Sequence, residues 1–73
     1  MASMAYALNE EMVRGLLKNL NLTQASAAAE MGMHRQHFHR LLQSSIEPRY
    51  ETLKSIARVL QVDDAHSLLV RNG

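Results

Sequence analysis

No cysteine occurs among the 73 residues, which excludes a disulfide framework and every thiolate metal site. No apolar run approaches the roughly 20 residues that span a bilayer. The opening Met1-Ala2-Ser3-Met4-Ala5 has neither the basic end nor the long apolar stretch of a secretory signal. A soluble, cytoplasmic protein with no membrane partner is expected. Aromatics are scarce, with Tyr6, Phe38 and Tyr50 the full set, and so are proline (one) and glycine (three). β-Branched residues are few, whereas eleven Leu and nine Ala favour helices, so the composition predicts an all-α fold. A chain this short buries only about 60% of the surface that its unfolded form exposes. That leaves little room for a deep cleft, and neither an enzyme nor a small-molecule substrate is expected. The formal net charge of +1 gives no global sign of a partner.

Residues 1–7 show no period and are expected as a flexible tail, with a domain over 8–70 and a C-terminal tail at 71–73. Asn9 followed by Glu10 and Glu11 reads as an N-cap with two acids in the first turn. Leu8 and Val13 are placed to close a hydrophobic staple across it. Met12, Val13, Leu16, Leu17 and Leu20 then repeat at helical spacing up to Asn21. Thr23 caps a second, alanine-rich helix that stops at Gly32, the residue best suited to the left-handed position after a helix. His34 stands at the next cap, and Phe38, Leu41 and Leu42 supply the inner face of a third helix to about residue 43. Ser44, Ser45 and Pro48 mark the one real loop. Leu53, Ile56, Ala57 and Leu60 define a fourth helix from about Tyr50. Asp63 and Asp64 are read as caps of a short fifth helix carrying Ala65, Leu68 and Leu69.

Two short helices joined through Gly32 describe a helix-turn-helix. The residues Leu22-Thr23-Gln24, Ala27-Ala28, Met31-Gly32-Met33, Arg35, Phe38 and Arg40-Leu41 lead into Pro48, Glu51-Thr52-Leu53, Ile56-Ala57, Leu60 and Val62. Together they resemble the lambda-repressor/Cro type of helix-turn-helix domain over roughly residues 9–70. A second resemblance, to the Fis-type helix-turn-helix, is confined to Gly32 through Leu42 and does not extend to the tail. The first implies a compact five-helix domain with the motif at helices 2 and 3. It departs from the family pattern in lacking a glycine between Gln43 and Glu47, and in having Gln61 where Gly or Asn usually ends helix 4.

With Phe38 inward, about 100° per residue keeps Leu41 and Leu42 within about 60° of it and turns Gln36, His39, Arg40 and Gln43 outward. Arg can pair with guanine O6 and N7, and Gln with adenine N6 and N7. The start of a recognition helix enters the major groove, so His34, Arg35 and Gln36 are expected nearest the bases of double-stranded DNA, with His39 on the same outward face. The resemblance adds Arg40. It also implies phosphate contacts from Gln24, which steadies the recognition helix, and from Arg49 and Tyr50 at the start of helix 4; Gln43 is added at the end of helix 3.

Each of these has a plainer reading. Arg35 and Arg40 also fit a solvated helix face, and polar residues at helix starts, such as Gln24 and Arg49, are common in any case. His34, His37 and His39 do not form a metal site on a helix, because His39 lies about 160° from His37 and about 140° from His34. No metal or cofactor is expected. If the histidines face phosphates, DNA affinity should rise as they gain protons at lower pH. Leu68, Leu69 and Val70 cannot all face a core from one helix. With Ile46 they form either a homodimer patch or the closure of the core's open end. The residues therefore point to a DNA-binding transcription regulator. The expected form is a Cro-like repressor acting as a dimer on a near-palindromic operator, in a bacterial or phage-infected cytoplasm. An antitoxin-like protein-interaction module that also regulates its own operon is the alternative.

Overall fold

The computed structural model describes residues 5–72. In chain order these form strand β1 (Ala5–Leu8), helices α1 (Glu10–Asn19), α2 (Gln24–Met31), α3 (Arg35–Gln43) and α4 (Tyr50–Val59), a single 3-10 turn (Ala65–Leu68), and strand β2 (Leu69–Asn72). The fold is mostly helical, as the composition requires, but it has four α-helices and not five.

The fifth helix fails for a local reason. Asp64 accepts from the His66 N–H through Oδ1 at 3.1 Å, and its carbonyl accepts from both the N–H and the hydroxyl of Ser67, at 3.0 and 2.6 Å. One tight turn satisfies these groups, and the chain then runs extended. The partner that favours extension is the segment expected as a loose N-terminal tail. Residues 5–8 pair antiparallel with 69–72, with Tyr6 opposite Arg71 and Leu8 opposite Leu69. The Asn9 N–H continues the ladder to the Leu68 carbonyl at 2.8 Å. Residues 5–7 are therefore not a tail, and neither are 71 and 72. The expectations for 1–4 and 73 lie outside the described residues.

The core gathers one face of every helix. Val13, Phe38, Ile56 and Leu68 are fully buried, with Leu17, Ala27, Ala28, Leu42, Leu53 and Leu60 around them. The alanines at 27 and 28 let α2 pack closely on both α3 and α4. Among the described residues no buried side-chain nitrogen or oxygen lacks a hydrogen bond.

Three helix ends share one construction. At Asn21, Gly32 and Gln61 the backbone turns left-handed, with φ of 57°, 78° and 60°. In each case that residue's N–H bonds back three residues, to Lys18, Ala29 and Arg58. The next N–H bonds back five, to Leu17, Ala28 and Ala57. The next side chain is apolar, Leu22, Met33 or Val62, and packs against the core. This is the Schellman arrangement, with its hydrophobic lock. Among the described residues these are the only positive φ values, so the loop between α3 and α4 follows its path without a glycine.

Candidate nucleic-acid interface

The caps that start each helix differ in a way that matters for charge. Asn9 Oδ1 accepts from the Met12 N–H at 3.1 Å, and Glu10 and Glu11 fill the first turn of α1. At α4, Glu51 occupies the first turn. Neither α2 nor α3 carries an acid in its first turn. Thr23 and Ser26 close a reciprocal capping box on α2, Ser26 replacing the more usual Glu or Gln, so that cap carries no charge. His34 precedes α3 without a side-chain capping bond. The positive ends of α2 and α3 thus lack the acids that offset those of α1 and α4.

Those two bare helix starts flank a shallow concavity of about 390 Å³ lined by Gln24, Arg35, Gln36, His39 and Arg40. Five of the nine positions proposed from sequence for bases or phosphates therefore meet on one surface. All but Gln24 are exposed, and Gln24 is half-buried. Gln24 and His39 are joined directly, with His39 Nδ1 3.3 Å from Gln24 Oε1. That bond links the first residue of α2 to the middle of α3. No spacing rule announces it, because the partners are fifteen residues apart.

The remaining positions are dispersed. His34 is exposed at the cap of α3, and Gln43 is exposed at its far end. Arg49 caps α4 without a side-chain capping bond, which leaves the first amides there free of that competitor. Tyr50 is exposed, yet its ring stacks on His66 at 5.6 Å between centroids, and Lys54 Nζ lies 5.1 Å from the ring centroid. Its ring thus ties α4 to the 3-10 turn, a packing role that sequence reading did not suggest. His37 lines a separate hollow with Met31, Met33, Glu51, Thr52 and Ser55, so it does not converge with His39.

The apolar residues considered for a dimer divide by burial. Leu68 is fully buried and is unavailable to any partner, a correction that follows from the 3-10 turn aiming it into the core. Leu69 is half-buried against the same core. Ile46 and Val70 remain exposed, at 75% and 44%.

Two short helices joined by a left-handed Gly32, the second presenting a polar outer face, define a helix-turn-helix of the lambda-repressor/Cro type. The chain belongs to the helix-turn-helix domain family, whose pattern it matches over residues 10–69. Among solved structures it is similar to the P22 c2 repressor protein, crystallised in complex with synthetic operator 9T in the presence of Tl+. That match has a TM-score of 0.72 and 26% sequence identity, and covers 84% of this chain and 91% of that one. No curated protein matches it by sequence.

Proposed function

We propose that this protein is a sequence-specific, non-enzymatic transcription regulator that binds double-stranded DNA through the face formed by α2 and α3. The observation that carries this is the concavity itself. Two arginines, two glutamines and a histidine line it, no acid does, and the two adjacent helix starts lack acids as well. Such a surface offers donors to base edges and fixed positive ends to phosphate. The likeness to a repressor described in complex with an operator supports the same reading.

In this reading α3 lies in the major groove. His34, Arg35, Gln36, His39 and Arg40 address bases, while Gln24, Gln43, Arg49 and Tyr50 address the backbone on either side. The protein acts as a repressor in the cytoplasm, occupying a near-palindromic operator as a homodimer. Ile46 and Val70 form the centre of the dimer contact and Leu69 its margin. Half-sites then lie about 34 Å apart, one turn of DNA.

Selection from a random duplex pool, repeated at two salt concentrations, tests the proposal. The expected result is an enriched palindrome whose affinity falls steeply as salt rises. No enriched sequence and no salt dependence would refute it and leave a protein-interaction module.

A further inference from the structure

The bond between Gln24 and His39 has a consequence for specificity. An amide oxygen can only accept, so the 3.3 Å contact between His39 Nδ1 and Gln24 Oε1 is a hydrogen bond in the form of the imidazole that carries a proton on Nδ1. A neutral imidazole has one ring proton, so in that tautomer Nε2 is left as an acceptor. We propose that His39 is a specificity-determining residue whose hydrogen-bonding sense toward a base edge is set by Gln24 and reversed by protonation. The inference rests on the DNA-binding reading of the same surface.

The other groups around the ring leave this control to Gln24. The concavity brings uncharged Gln24 of α2 together with Arg35, Gln36 and Arg40 of α3 around His39. No carboxylate lines it, so none competes for the imidazole proton. Arg35 and Arg40 are donors only and Gln36 is uncharged, which makes neutral His39 the one titratable acceptor in the lining.

In the major groove, an acceptor finds its complement in an exocyclic amino group, cytosine N4 or adenine N6. A donor finds it in guanine O6 or N7, in adenine N7 or in thymine O4. Neutral His39 therefore favours cytosine or adenine at the position it faces, and protonated His39 disfavours cytosine and admits guanine or thymine, while adenine can meet either form through N6 or N7. His34 has no side-chain capping bond and His37 lies in a different hollow, so for them protonation adds charge without reversing a fixed bond.

The test uses the full chain, selected on random duplexes at about pH 8 and about pH 5.5, the interval over which imidazole gains a proton. One base position per half-site should change preference by about fivefold or more, away from cytosine and toward guanine or thymine. His39→Gln, which both donates and accepts at any pH, should remove the change. Gln24→Glu retains an acceptor for Nδ1 and favours the imidazolium, and should move the change to higher pH. Nitrogen-15 spectra of the free protein at about pH 8 read the tautomer without DNA, and should show the His39 proton on Nδ1. A proton on Nε2 would overturn the inference, as would selective DNA binding with the same preference at both pH values. No DNA binding at either pH, with the Nδ1 tautomer present, would refute the DNA-binding reading and this inference with it.

Discussion

The three left-handed helix ends provide an internal comparison, because their backbones match and their occupants differ. Asn21, Gly32 and Gln61 hold φ of 57°, 78° and 60°. A left-handed residue with a Cβ costs about 1 to 2 kcal/mol, and asparagine visits this region more readily than most. Gln61 is exposed, and no described hydrogen bond involves its side chain, so replacing it removes strain and little else. Against that, glycine enlarges the freedom of the unfolded chain by about 0.4 to 1 kcal/mol. The balance for Gln61→Gly is a gain of about 0.5 to 1 kcal/mol, or about 2 to 8 °C in melting temperature for a domain of this size.

Asn21→Gly should fall within about 0.5 kcal/mol of neutral by the same reasoning. Gly32→Ala runs in reverse. A Cβ there would meet no atom within 4 Å, so the cost is the backbone's alone, a loss of about 1 kcal/mol. Urea titration followed by helical circular dichroism measures all three as midpoint shifts at constant slope. A Gln61→Gly midpoint at or below that of the parent, with the slope unchanged, would refute the account of these helix ends. So would a neutral Gly32→Ala.

Leu68→Ala should cost about 2 to 5 kcal/mol in the same titration, because the side chain is wholly buried; a loss under about 1 kcal/mol would contradict its place in the core. On DNA, Gln36→Ala and Arg40→Ala should each relax preference at particular base pairs, while Arg49→Ala should weaken all sequences alike and lower the salt slope by about one. Unchanged preference in the first two would refute the assignment of the outer face of α3. Ile46→Lys and Val70→Lys should leave the unfolding midpoint within about 0.5 kcal/mol of the parent and shift sedimentation from dimer to monomer. A mass unaffected by both would remove these residues from the interface.

What the sequence made legible follows the range of the interactions involved. Helix caps at Asn9 and Thr23, the left-handed stop at Gly32 and the inner face of Phe38 and Leu42 depend on residues a few positions apart, and periodicity reveals them. The sheet depends on partners at opposite ends of the chain. Nothing near Leu69-Val70-Arg71 shows that Tyr6-Ala7-Leu8 will lie beside it, so helical spacing overruns the true end of the helices there. The consecutive Leu68, Leu69 and Val70 did carry a warning, since no single helix face accommodates all three. The structure resolves it with a 3-10 turn that buries Leu68 and a strand that leaves Val70 exposed. The same division applies at the concavity: the polar outer face of α3 is local and legible, whereas the family resemblance supplies a steadying role for Gln24 but not His39, fifteen residues away, as its partner.

The nearly neutral charge of the chain acquires meaning from where its acids fall. Residues 31–46 hold two arginines, three of the four histidines and no acid. Glu10, Glu11 and Glu51 stand at the starts of α1 and α4, where they stabilise those helices. The same acids at the starts of α2 or α3 would give a similar helix-stabilising benefit, yet they would cancel the field of the two helix ends that border the concavity. The uncharged Thr23–Ser26 box secures α2 without that loss. The concavity and the two helix starts beside it are therefore free of acids in a domain whose net charge is small. If that face binds DNA, attraction is short-ranged, falling off within a Debye length of about 8 Å at physiological salt. Non-specific affinity should then be low compared with that of a strongly basic domain, and a larger share of operator affinity should come from base contacts than from counterion release.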